Sequence, residues 1–155
     1  HVTASPNHQT GRKTPLKYRF DVAMTGRLGF ELHPADLSAD ELSFAKRAVA
    51  DYKRIRPIVQ QGDLYRLASP YEHDYAALMY VGEDRSRAIV FVLGLDRANP
   101  VSATIHLVGL DAVDRYKIRE FNCGASQHSA KIDADGLTVG LKGPFDSAIF
   151  EFLRR

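Results

Sequence analysis

The sequence predicts a mainly β protein, an antiparallel sandwich with Greek-key-like connections that follows a short helix–strand–helix unit. Three observations point there. Apolar residues recur at helical spacing over the first 60 residues, then fall to a period of two beyond Gly62. A well-capped helix stands just before that switch. Turn residues then divide the remainder into short pieces, which favours an antiparallel sandwich over a parallel sheet. The leading unit reads as the tail of a larger α/β enzyme. His1 is not preceded by an initiator Met, so the expectation is a truncated chain: residues 1–60 close one domain and residues 61–155 form the next.

The elements follow in order. Thr14-Pro15 is a helix start, because Thr can cap free N–H groups and Pro is tolerated in the first turn. Leu16, Phe20, Ala23 and Met24 continue at helical spacing and Gly26 offers a stop. Residues 27–32 (RLGFEL) read as a strand, weakened by Gly29 and closed by His33-Pro34. Ser38 and Glu41 are placed as a capping box, with Leu37 and Leu42 as its hydrophobic staple. Phe44, Ala45, Ala48, Val49, Tyr52 and Ile55 form the apolar stripe of that helix, and Pro57 is expected to end it.

Beyond Gly62, strands are expected over 63–68, 75–81, 88–95, 101–108, 115–121, 137–142 and 148–152. Gly82-Glu83-Asp84, Asn99-Pro100, Gly109-Leu110-Asp111, Asp135-Gly136 and Gly143-Pro144 supply the turns between them.

Composition excludes several function classes. A net charge of +2 gives no electrostatic case for nucleic acid or an anionic membrane. The longest apolar run, 88–95, is too short to span a bilayer. A soluble protein is expected, with the compartment left open between cytoplasm and periplasm. The one cysteine, Cys123, excludes an internal disulfide and reads as a bystander beside Gly124.

No residue set reads as a complete catalytic site. Glycoside hydrolysis needs two carboxylates flanking the scissile bond. Asp21 reads as a solvated or ion-paired helix residue, Glu31 lies on a strand, and Asp36 belongs to a turn. His1, His8 and His33 fit no compact metal motif, so no metal and no cofactor is expected. His8, in the polar stretch 5–9, gains interest if a strand precedes it, because barrel enzymes place their sites on such loops. His73, His106 and His128 read as surface residues. Tyr65, Tyr71, Tyr75, Tyr80 and Tyr116 could form a sugar-stacking row, although aromatics on sheets more often serve as core.

The run His1-Val2-Thr3-Ala4-Ser5-Pro6-Asn7-His8-Gln9, with Arg12, Thr14-Pro15-Leu16 and Arg19, resembles the closing part of the catalytic barrel of family thirty-six glycoside hydrolases, the retaining α-galactosidases. Residues 23–29 with Glu31-Leu32 resemble that family's next segment. Tyr52-Lys53, Gln60, residues 62–67 and Ser69-Pro70 resemble its junction with the C-terminal domain, and Gly109-Leu110-Asp111, Tyr116 and Asp135-Gly136-Leu137 its weaker late motifs.

The resemblance implies a (β/α) barrel remnant followed by a C-terminal β domain, with both catalytic aspartates earlier in the barrel and none here. It implies that Asn7, His8 and Arg12 lie on the catalytic rim. It further implies that the rest of the barrel is a partner, that the α-galactoside substrate is met through the parent, and that homo-oligomer contacts are open to the β domain. The fragment is then a stabilising accessory domain, inactive alone; the alternative is a carbohydrate-binding β-sandwich module. Physical reasoning adds two expectations. The capped helix should cover the β module, and the first residues should be disordered or paired with another chain.

Overall fold

The computed structural model describes residues 1–97, 99–112, 115–123 and 127–155. Strand β1 (Val2–Thr3) leads through a loop into α1 (Leu16–Met24), then into β2 (Phe30–Glu31), a single 3₁₀ turn (Pro34–Asp36) and α2 (Ala39–Gln61). β1 and β2 pair in parallel, Val2 with Phe30 and Thr3 with Glu31. The first residues are therefore ordered and paired within the chain. Val2 is fully buried, so its side chain fixes this pairing from the apolar side.

α1 begins one residue later than expected. Pro15 occupies the N-cap with no side-chain cap, and Thr25 rather than Gly26 closes the helix. The predicted strand over 27–32 shrinks to two residues. The capping box is present in full: Ser38 Oγ accepts from the Glu41 N–H at 3.3 Å, and Glu41 Oε2 accepts from the Ser38 N–H at 2.9 Å.

Pro57 does not stop α2, which runs four residues past it to Gln61. A proline inside a helix removes its own N–H and crowds the carbonyls one turn back. The carbonyl deprived of its helical donor is that of Lys53, four residues back, and the adjacent Arg54 carbonyl accepts from Arg87 Nη1 at 3.1 Å. Val59, buried beyond the proline, gives the continuation an apolar reason.

The remaining strands are β3 (Asp63–Ala68), β4 (Tyr75–Val81), β5 (Arg87–Gly94), β6 (Val101–Ile105), β7 (Tyr116–Phe121), β8 (Ala130–Asp133), β9 (Gly136–Leu141) and β10 (Ser147–Arg154). They form an antiparallel five-stranded sheet, order β3-β4-β5-β10-β7, and an antiparallel three-stranded sheet, order β6-β9-β8. The predicted sandwich is therefore present. β8 is the strand that pattern reading missed, because its pairing face is short and mostly exposed. β6 stops at Ile105, which leaves His106 exposed beyond the strand. The Asp135-Gly136 turn joins β8 to β9 with Gly136 at φ +117°, where a Cβ would lie 2.2 Å from the Ile105 carbonyl oxygen.

Two apolar cores sit on opposite faces of the five-stranded sheet. One lies between the sheets and contains Met79, Val90, Val92, Ile105, Val139 and Phe152. The other lies under the helices and joins Phe20, Met24, Ala48 and Ile55 to Tyr80, Ile89, Phe91 and Ile149. Helix α2 covers the β module as expected. Strands β5 and β10 are consequently buried on both faces, which is why they read as near-continuous apolar runs rather than as alternation.

Candidate functional site

The loop after β1 carries the three residues singled out from the sequence. The Asn7 side chain builds it: Asn7 Oδ1 accepts from the Gln9 and Thr10 N–H groups, both at 3.0 Å, and from Thr10 Oγ1 at 3.1 Å. The Asn7 N–H donates to the Arg12 carbonyl, and Gly11 closes the turn at φ +66°. Thr14 N–H donates to Ser5 Oγ, tying the far end of the loop to its start. Arg19 of α1 donates to the Thr3 carbonyl and holds the C-terminal end of β1. A strand does precede His8, and the loop is a βα loop.

The three residues share the loop but not a single locus. His8 lies exposed within the turn. Asn7 spends its carbonyl on the backbone. Arg12 turns toward the β module, with its guanidinium 3.4 Å from Asp96 and 5.9 Å from the centre of the Phe145 ring. Tyr18 meets the same ring edge-on at 5.3 Å. Burial raises the Tyr18 hydroxyl above its ordinary pKa, against the field of Arg12.

Two buried carboxylates, which the sequence reading did not place, stand at the seam between helices and sheet. Asp21 is ion-paired as expected but is not solvated. Its carboxyl is fully buried, 2.6 Å from Lys17 Nζ, and accepts from Ser147 Oγ at 2.7 Å and from the Asn122 amide. Burial raises its pKa, and Lys17 only partly offsets that. Glu151, in the middle of β10, is held by Arg54 at 2.5 Å, Arg87 at 2.5 Å and Arg119 at 2.7 Å. Burial opposes its charge, but the bonds from Arg119 and Arg54 and the field of Arg87 outweigh it, and its pKa falls below the usual carboxylate value. Arg54 also lies 5.0 Å from the centre of the Phe121 ring.

His128 is a further correction. It is no surface residue: its side chain is 3% exposed and lies between Glu120 and Asp146. Gly124, next to Cys123, lies outside the described residues. His73 is exposed and stacks on Tyr75 at 5.2 Å. Of the tyrosines, Tyr75, Tyr80 and Tyr116 are buried, Tyr65 is half-buried, and Tyr71 alone stands clear at 95% exposure. Among the described residues these five form no exposed stacking row. Glu31, exposed, bonds His1 at 2.7 Å, and Asp36 lies in the 3₁₀ turn.

Residues 75–152 match the family described as glycosyl hydrolase family 36 C-terminal domain, and residues 1–62 match the one described as Melibiase. The chain belongs to glycosyl hydrolase family 36. Alpha-galactosidase AgaA of Geobacillus stearothermophilus is 45% identical over 119 residues, which covers 76% of this chain and 16% of that protein. Alpha-galactosidase 2 of Hypocrea jecorina is 36% identical over 152 residues, or 96% of this chain and 20% of that one. Among solved family 36 structures, AgaA in complex with raffinose superposes on the whole of this chain with a TM-score of 0.79 at 34% identity. The Geobacillus AgaB structure does so with a TM-score of 0.80 at 35% identity. In both cases the chain spans 21% of the family member's length.

Proposed function

We propose that this chain is the closing part of a retaining α-galactosidase. In this reading residues 1–60 complete the catalytic barrel and residues 61–155 brace it, while both catalytic carboxylates and the bound galactoside belong to the longer enzyme. The observation that carries the proposal is the seam itself. α1 and α2 are fused to the outer face of the five-stranded sheet by one apolar core and by the Asp21 and Glu151 clusters. A seam of this kind joins barrel and sandwich, which suits a brace, and the buried Tyr75, Tyr80 and Tyr116 offer no stacking row for sugar.

The rest of the barrel has a place to dock. Among the described residues β2 pairs on one edge only, with β1, and its Phe30 is 47% exposed. Parallel strands are ordinarily covered on both faces. An apolar groove of about 280 Å³ continues from that edge, lined by Phe30, Leu32, Leu37, Leu42, Ala45 and Val49. In the proposed enzyme the neighbouring barrel strand and helix fill it. The Asn7–Arg12 loop then stands at the catalytic rim, with Arg12 linking the rim to Asp96 of the β domain.

The test is hydrolysis of a chromogenic α-galactoside by this chain and by the longer enzyme, side by side. Turnover is expected only in the longer enzyme, and alanine at Asn7, His8 or Arg12 there should change its kinetics. Turnover by the 155-residue chain itself would overturn the reading.

A further inference from the structure

His128 sits at the start of the segment that feeds β8, and both of its ring nitrogens face carboxylates. Nδ1 lies 2.6 Å from Glu120 Oε1, and Nε2 lies 2.9 and 3.0 Å from the two oxygens of Asp146. The His128 backbone N–H donates to the second oxygen of Glu120 at 2.8 Å. Asp146 is fixed in turn by the Lys142 N–H at 2.7 Å and the Ser147 N–H at 3.0 Å. The Glu120 side chain is 4% exposed.

A neutral imidazole has one N–H and one lone pair. With a carboxylate at each nitrogen, the neutral ring would aim its lone pair at a charged oxygen; only the doubly protonated ring satisfies both. We propose that His128 is a proton-held clasp joining Glu120 of β7 to Asp146 before β10, and that loss of its proton releases the segment entering β8.

The surroundings favour the clasp. Among the described residues, the Cys123 thiol, raised by burial and by Glu120, and Lys17 of α1, whose field reaches that thiol, lie on the Glu120 side of the cluster, and Lys142 lies on the Asp146 side. Arg119 lines the same cleft but is taken by Glu151. The hydrogen bond to Glu120 raises the ring's pKa against burial, and Asp146 adds to the rise. The Asp146 carboxyl is opposed by burial, but the Lys142 N–H and His128 carry it below its ordinary value.

The released part is also lightly held. Among the described residues β8 is an edge strand that pairs with β9 alone, and it is mostly exposed. A cleft of about 400 Å³ runs beneath it between the sheets, lined by Glu120, His128, Ile132, Leu137 and Phe150. Opening the clasp would widen that cleft and expose its apolar floor.

The sign follows from linkage. His128 contributes stability that is complete below the ordinary imidazole pKa of about 6.5 and is lost as pH rises through the raised folded-state value. Asp146 sets the acid limit: its contribution is present above about 3.9 and lost as pH falls through its lowered value.

The experiment is an NMR titration of the His128 ring in the wild-type chain, run alongside hydrogen exchange of the β8 amides corrected for intrinsic base catalysis. The expected ring midpoint lies above about 6.5. Opening of β8 should then rise by up to about tenfold per pH unit above that value and level off at the ring's own midpoint. In His128→Gln that pH-dependent rise should vanish. A midpoint at or below the ordinary value overturns the proposal. So does β8 exchange that ignores a raised midpoint, and so does an unchanged pH response in the variant.

Discussion

Asp21 and Glu151 are both buried carboxylates at the same seam, yet their pKa values move in opposite directions. The difference is the charge of the donors. Asp21 has one cation, with neutral Ser147 and Asn122; Glu151 has three guanidinium groups. Glu151→Gln would leave three cations around a neutral amide, and breaking a buried ion pair of this kind costs about 3 kcal/mol or more. Urea denaturation near neutral pH should show that loss. Because the Glu151 pKa is lowered, its contribution is present above about 4.3 and fades as pH falls through the lowered value. The gap between wild type and variant should therefore close on acidification; a gap that widens would refute the assignment. Asp21 has the reverse sign, so the stability it contributes declines as pH climbs from about 3.9 through its raised value. Neither residue was legible as a site in the sequence. The partners of Glu151 lie 97, 64 and 32 positions away, and no local pattern encodes them. One signal was available: a lone acid inside residues 147–153, otherwise a strand of apolar and small residues, has to be paired if that strand is central.

At the scale of elements, sequence and structure agree where local chemistry decides and part where distant contacts do. The capping box of α2 involves residues three apart, so the sequence displays it directly. The alternation of β6 and β9 was visible because each has one buried face and one wetter face. Pro57 misled because its cost is local, while the burial of Val59 that favours continuing the helix is set by tertiary packing. Pro57 is itself exposed. Pro57→Ala should restore the missing N–H to α2 and raise stability by about 1–3 kcal/mol, less than the full helix-interior penalty after the lost loop entropy is counted. A melting temperature unchanged or lowered in this variant would show that the proline is not a net cost to the folded chain. His128 escaped notice for the same reason as Glu151. Its acids come from β7 and from the turn before β10, and only folding brings them to one ring.

For the whole molecule, the layer order of helices, five-stranded sheet and three-stranded sheet makes the central sheet dependent on both coverings. A chain starting at Asp63 would expose Ile89, Phe91, Phe121 and Ile149 on one face. Contiguous apolar patches of that kind drive association. Residues 63–155 expressed alone should therefore aggregate or bind a hydrophobic dye, whereas residues 1–155 should not do so to the same extent. A soluble, dye-silent and cooperatively melting 63–155 fragment would show that the β domain stands without its helices.

β10 lies between β5 and β7, although some 50 residues separate it from the end of β5. On a ribosome adding about 5–20 residues per second, β5 waits several seconds for the strand that completes its far edge, and β7 waits with it. A message cut short ahead of Ser147 would yield a polypeptide with a gap at the centre of its sheet, not a frayed margin. Such a product would present two unpaired strands to chaperones and proteases, so incomplete copies can be discarded before they accumulate.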